Sequence, residues 1–308
     1  LRGIDKRFGP VHANKAIDLK VEKGSIHGIV GENGAGKSTL MSILYGFYQA
    51  DAGEIFVNGE KVPIKTPGQA IAAGIGMVHQ HFMLVEPFTV LENVVLGAEG
   101  GEVLAGGIGK ARAALEKLGR DYEMTVPLDT PVGELAVGQQ QRVEILKALY
   151  RGAEVLILDE PTGVLTPGEA DHLFKVLATL RAQGKTVILI THKLREIMAI
   201  TDRVSVMRRG EMVATRETKA TSPAELAELM VGRSVLLRVD RGTTAHASSG
   251  RVVLDVRDLR LVDSQGVERL KGATFQVRGG EIVGIAGVAG NGQSELIEVI
   301  SGIKRATG

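Results

Sequence analysis

The stretch "GENGAGKST" at residues 31–39 sets three glycines ahead of a lysine and two hydroxyls. This is the spacing of a loop that wraps phosphate: backbone N–H groups face the oxygens, and glycine is needed where the chain turns sharply and phosphate approaches closely. Lys37 supplies a point charge and Ser38 a hydroxyl placed for Mg²⁺, while Gly31, Asn33, Gly34, Ala35, Gly36 and Thr39 complete the candidate cradle. Further on, "VLILDEP" at 155–161 ends four apolar residues with two carboxylates. Asp159 is placed to hold Mg²⁺ through water, and Glu160 to polarise an attacking water. "LITH" at 189–192 puts His192 at the end of another apolar run, within expected reach of a terminal phosphate.

These groups need strands that end together. "SIHGIVG", "EVLILDE" and "TVILITH" are continuous apolar runs of the kind buried on both faces of a parallel sheet. They alternate with helical patterns, which signals an α/β fold. "EIFVNGEKV" carries Asn58-Gly59 between two strand-like triplets, a two-residue hairpin signal. Thr166, Pro167 and Glu169 together predict an N-cap, a first helical residue and a capping box. The following helix has Leu173, Val176, Leu177 and Leu180 on its apolar face and ends near Gly184. Residues 89–150 read as mostly helical and are expected to form an inserted subdomain, with "GAEGGEVLAGGIG" as a glycine-rich interruption.

The sequence also repeats. "KAIDLKVEKGSIHGIVGENGAGKSTL" at 15–40 aligns without a gap on "KGATFQVRGGEIVGIAGVAGNGQSEL" at 271–296, matching Gly31 to Gly287, Gly36 to Gly292 and Ser38 to Ser294. The second loop keeps the glycines but has Gln293 in place of lysine. The chain thus reads as one unit at 1–235, a polar linker at 236–250 ("DRGTTAHASSG" at its core) and the start of a second, degenerate unit at 251–308. A protein of roughly 500 residues is expected from this repeat logic. Residues 251–308 are too few to complete a sheet, so part of their core is expected to be exposed.

"ELAVGQQQRVEILKAL" at 134–149 decides among phosphate-loop families, because it resembles the ABC ATPase signature, usually L-S-G-G-Q. Leu135, Gly138 and Gln139 match, while Ala136 and Val137 depart. Gln80, in "GMVHQHFML", resembles the family's Q-loop glutamine, which contacts Mg²⁺ and the attacking-water region. Phe8 matches the aromatic that stacks on adenine, and 163–166 occupies the D-loop, with Thr166 in place of aspartate. The order of phosphate loop, Gln80, signature, Asp159-Glu160 and His192 covers nearly the whole first unit. More narrowly, "VHQHFMLVEPFTVLENVVLG" and "ELMVGRS" resemble the tandem ATPases of bacterial sugar and nucleoside importers, and the wording around Gln80 is closer to the nucleoside branch.

The resemblance implies a P-loop NTPase fold of ABC type: a mostly parallel core sheet, N-terminal antiparallel strands and an inserted helical subdomain. It implies ATP and Mg²⁺ as ligands, and Glu160, His192 and Gln80 as catalytic residues. Partners would be transmembrane permease subunits, the second ATPase domain of the same full-length chain and, indirectly, a periplasmic or lipoprotein solute-binding protein. The expected location is the cytoplasmic face of the membrane, as a peripheral protein. In this family ATP lies between the P-loop of one domain and the signature of the other. Gln293 and Ala136 therefore fall on the same composite site, which suggests one hydrolytic site on Lys37 and one that binds but turns over poorly. The alternative is a soluble tandem ABC ATPase acting on ribosomes, for which a longer charged inter-domain segment and two complete sites are expected.

Composition narrows the rest. A hydrophobic content of 44% is ample for a core, and the absence of cysteine removes disulfides, thiolate metal sites and cysteine nucleophiles. The net charge of +1 comes without a dense Lys/Arg block, so no nucleic-acid partner is expected. No run of 18 or more apolar residues is present to span a membrane. The first residues, "LRGIDKRFG", lack a secretion-signal pattern, and membrane contact is expected to go through a partner.

Overall fold

The computed structural model describes residues 1–80, 82–97, 104–233, 250–263, 266–287 and 291–308. The chain divides into two compact units, Leu1–Leu237 and Arg238–Gly308. The expected linker falls almost wholly on 234–249, outside the described residues.

In chain order the first unit runs β1 (Arg2–Phe8), β2 (Val11–Ile17), β3 (Ile26–Val30), α1 (Lys37–Leu44), β4 (Ala52–Glu54), β5 (Phe56–Val57), β6 (Glu60–Lys61), α2 (Pro67–Ala72) and β7 (Ile75–Val78). There follow α3 (Val90–Val95), α4 (Leu104–Asp121), α5 (Val137–Tyr150), β8 (Val155–Asp159), α6 (Pro167–Ala182), β9 (Thr186–Ile190), α7 (Leu194–Ile200), β10 (Arg203–Arg208), β11 (Glu211–Glu217) and α8 (Pro223–Val231). The main sheet has the order β11-β10-β3-β9-β8-β7. Its pairs are parallel from β10 through β7, with β11 antiparallel at one edge. A separate antiparallel sheet, β2-β1-β4, holds the N-terminal strands.

The apolar runs are buried because the parallel sheet is covered on both faces. Residues alternate across a strand, so Leu156, Leu158, Val187 and Leu189 pack into one core with α5 and α6 residues such as Val143, Leu146, Val176 and Leu180. Ile157, Ile188, Ile190 and Ile29 face the other core, against Leu40, Met41 and Ile43 of α1 and Ile4 and Ile17 of the antiparallel sheet. Thr166 caps α6 as its sequence indicates: its hydroxyl accepts from the Glu169 N–H while the Glu169 carboxylate accepts from the Thr166 N–H at 2.9 Å. Asn58 and Gly59 both take positive φ, 52° and 86°, and turn β5 into β6. The inserted subdomain departs from expectation at one end. Helix α4 begins at Leu104, inside the stretch read as a glycine-rich interruption, and carries Gly106, Gly107 and Gly109. Helix propensity there is overridden by the eighteen-residue helix that continues to Asp121.

The second unit is a long antiparallel hairpin, β12 (Val252–Val262) with β13 (Glu268–Arg278), followed by α9 (Gln293–Ile300). Its core is small, built on Leu261, Leu270 and Leu296. Residues 281–287, which match β3 in sequence, form no strand here. Ile282 is fully exposed and Ile285 half-exposed.

Candidate active site

The registers bring four strand ends together. Val78 of β7 pairs with Leu158 of β8, Asp159 of β8 with Ile190 of β9, and Ile190 of β9 with Ile29 of β3. Gln80, Asp159-Glu160, His192 and the loop from Gly31 therefore leave one edge of the sheet side by side. This is where open parallel sheets bind ligands, outside the carboxyl ends of the strands.

The loop itself is shaped by contacts that only glycine permits. A Cβ on Gly36, whose φ is 98°, would meet the Ala13 carbonyl oxygen at 2.2 Å, and one on Gly31 would meet that of Met207 at 2.3 Å. Around Gly34 nothing lies within 4 Å, so that side of the loop is open. Buried Asn14 reinforces the turn, its Nδ2 donating to the Gly36 carbonyl at 3.1 Å. Ala35 packs inward, whereas Asn33 and Ser38 are exposed and Thr39 half-buried. Lys37 opens α1 and is buried; its Nζ donates to the carbonyls of Gly31 at 2.8 Å and Glu32 at 3.0 Å. Burial lowers the affinity of this ammonium for its proton, opposed by the charges of Glu160 and Asp159.

Asp159 is buried at the end of β8, and burial pushes its carboxyl up against the effect of a hydrogen bond from Ser38. Ser38 and Asp159 thus present two oxygens at one point, the donor type Mg²⁺ prefers. Glu160 follows in the left-handed region, φ 47°, where non-glycine residues are uncommon. Its N–H donates to the Ile190 carbonyl at 2.9 Å, and its Oε1 lies 2.9 Å from Nδ1 of His192.

Gln80 is exposed just beyond β7. The segment after it is tied to the helical subdomain: the Met83 N–H donates to Oε1 of Glu144 at 2.7 Å, and Lys147 Nζ donates to the Met83 carbonyl at 3.0 Å. Beside it a groove of about 190 Å³ opens between α5 and the core, lined by Tyr45, Phe47, His79, Met83, Glu144 and Lys147 among others.

Phe8 lies at the tip of the β1–β2 hairpin, 41% exposed, with Tyr48 edge-on at 5.2 Å and Lys6 Nζ 5.3 Å from its ring centre. It ends β1 without being buried, and Lys6 lies over its ring. The signature residues sit elsewhere, at the start of α5. Gln139 reaches back to the Ala136 N–H at 3.3 Å, so the helix is half-capped without the missing serine. Gly138 is buried against Glu169: its N–H donates to that carboxylate, and a Cβ would meet Glu169 Oε1 at 2.6 Å. Leu135 packs in the core, so its side chain anchors the segment.

Sequence reasoning missed Glu169 as a partner of the signature helix and a buried Thr162–Thr191–Glu196 cluster behind Glu160 and His192. The only sequence signal for the cluster is a glutamate four residues after His192 in the first turn of α7.

Comparison with known proteins agrees with this geometry. Residues 14–163 match the family model described as ABC transporter. The glucose import ATP-binding protein of Haloferax volcanii is 50% identical over 99% of this chain and 60% of its own length. The nucleoside import ATP-binding protein of Lactococcus lactis is 48% identical over 98% of this chain and 59% of its own. The chain thus spans about 60% of the length of these curated relatives. Among solved structures, the ADP conformation of an ATP-binding cassette of an ABC transporter superposes with a TM-score of 0.66 at 28% identity, covering 75% of this chain and 97% of that one. Through its first unit, an ATP-binding cassette, this chain belongs to the ABC transporter family.

Proposed function

We propose that the first unit binds and hydrolyses ATP at the loop around Lys37 and drives import of a nucleoside or simple sugar through a membrane permease. The observation that carries the reading is the row of strand ends that sets Lys37, the Ser38–Asp159 pair and the Glu160–His192 pair, whose facing atoms are 2.9 Å apart, at one edge of the sheet. Lys37 and the first-turn amides of α1 bind the phosphates, and Phe8 stacks on the base. A phosphate against Lys37 and a cation against Asp159 would each reverse the effect of burial on those groups, so the residues fit both. Ser38 and Asp159, with Gln80, would hold Mg²⁺, which supplies charge neutralisation at the β- and γ-phosphates. Glu160 takes the proton of the attacking water, and His192 orients that carboxylate and meets the terminal phosphate. Asn33, Thr39 and the glycines shape the cradle.

Coupling to a permease runs through Gln80. The segment behind it is fastened to Glu144 and Lys147 of α5, so a shift at Gln80 moves the helical subdomain and the groove beside it. Residues 251–308 repeat the sequence of the first unit's phosphate loop, with Gln293 in place of lysine. With glutamine there, the repeated loop binds nucleotide and turns over slowly. A charge-assisted contact is worth roughly 1.5–3 kcal/mol, so the lysine's loss weakens phosphate binding by about 10- to 150-fold. The protein works at the cytoplasmic face of the membrane, with a solute-binding protein as an indirect partner. No helix among the described residues is long and apolar enough to cross a membrane. The import functions named for both relatives favour this reading over the soluble ribosome-acting alternative. Calorimetric ATP binding to this chain, with Lys37→Ala as control, tests it. One tight ATP abolished by the substitution supports the reading, and tight binding that survives it contradicts the placement.

A further inference from the structure

Behind the Glu160–His192 pair lies a buried carboxylate that the proposed chemistry does not use. Glu196, in the first turn of α7, is 7% exposed. One of its oxygens accepts a hydrogen bond from the Thr162 hydroxyl and the other from the Thr191 hydroxyl at 3.1 Å. Thr162 is two residues beyond Glu160, and Thr191 immediately precedes His192. Lys193 closes the cluster: its Nζ donates to the Thr162 carbonyl at 3.1 Å and hydroxyl at 3.0 Å, and its N–H donates to the Thr191 hydroxyl at 3.0 Å. Each threonine hydroxyl has one proton and already accepts from Lys193, so both must donate to Glu196. Two acceptor oxygens meet two donors. A glutamine in that place offers one acceptor and one N–H₂, so one link is mismatched.

We infer that Glu196 is a positioning residue that locks the loop carrying Glu160 to the loop carrying His192 and so sets the distance between them. The inference rests on the hydrolytic reading of that pair. Strain gives the lock its purpose. Glu160 is held at φ 47°, a conformation its own chain does not favour, and persists only where the surroundings over-determine it. On the C-terminal side of that residue the chain is tethered twice, by Gln141 Nε2 donating to the Pro161 carbonyl at 2.6 Å and by the Thr162–Glu196 link, and the Ile190 carbonyl holds its N–H from the β9 side.

The test uses the intact protein with Thr162→Val and Thr191→Val, which remove one hydroxyl each at nearly constant volume, their serine counterparts, and Glu196→Gln. Misplacement of reacting groups by about 1 Å costs on the order of 100-fold. The expected result is a kcat lowered by roughly tenfold or more in the valine variants and in Glu196→Gln. ATP affinity and melting temperature hold, and Thr191→Ser and Thr162→Ser return kcat to within about twofold of the parent. Valine variants that keep kcat within about twofold overturn the inference. So does a loss that tracks melting temperature and ATP affinity, because the cluster would then only stabilise the fold. Glu160→Gln separates the layers: a parent-like rate in that variant overturns the hydrolytic reading and the inference with it. A dead Glu160→Gln beside active valine variants overturns the inference alone.

Discussion

Acid should weaken the first unit through one histidine. His27 lies in β3, the strand that feeds the phosphate loop, and is 1% exposed. Its Nε2 pairs with the Ser205 hydroxyl at 2.8 Å, and Ser205 pairs in turn with Thr215 at 2.8 Å. Nδ1 is buried with no partner. Burial, helped by the Arg203 charge and opposed by Glu22, lowers the imidazole from its ordinary 6.5 to about 4. The folded protein therefore keeps this ring neutral where the unfolded chain protonates it. Stability is intact above about pH 6.5, falls as pH drops below that value, and stops falling below about 4. The gap corresponds to about 3.4 kcal/mol in full, and to about 2 kcal/mol between pH 7.5 and pH 5. That is a large share of a typical domain's stability of about 5–15 kcal/mol. Urea unfolding followed by far-UV circular dichroism at both pH values measures it, with His27→Gln as reference. Glutamine can still reach Ser205, and Glu22 and Arg203 are common to both proteins. The parent should lose about 2 kcal/mol more than the variant on acidification. Equal losses would refute the reasoning.

Two other perturbations address the site directly. Gly36→Ala should abolish ATP binding, because its Cβ would stand 2.2 Å from the Ala13 carbonyl oxygen at a φ of 98°; calorimetry should show no tight site in a protein that still folds. Gln293→Lys should raise ATP affinity at the second loop of the intact protein by about 10- to 150-fold, read as a second tight ATP by equilibrium dialysis; unchanged stoichiometry would count against the weakened reading of that loop.

Much of this architecture is visible in local sequence. The capping box at Thr166 and Glu169 and the turn at Asn58-Gly59 follow from residue chemistry within four positions. The apolar runs of β3, β8 and β9 announce strands buried on both faces. What escapes is long-range. Pattern alone does not tell β3 from 281–287: β3 is a strand because β9 and β10 flank it, whereas 281–287, in a segment expected to be too short to complete a sheet, gain no such neighbours among the described residues. The site shows the same division. Lys37, Asp159, Glu160 and His192 are legible from motif spacing, and the registers of β3, β8 and β9 set them side by side. The positive φ of Glu160 and the Glu196 cluster are not legible, because they arise where segments far apart in sequence meet. Leu135, which matches the signature motif, is buried in the core, a placement that spacing alone does not reveal.

In the proposed function Glu160, held against His192, performs hydrolysis at the Lys37 loop. Measuring ATP binding and single-turnover hydrolysis together in Glu160→Gln of the intact protein tests it most directly. ATP should bind as in the parent while the hydrolysis rate falls by about 10²- to 10⁴-fold, the usual worth of a general base. A variant that binds ATP and hydrolyses it within about twofold of the parent rate would contradict the account.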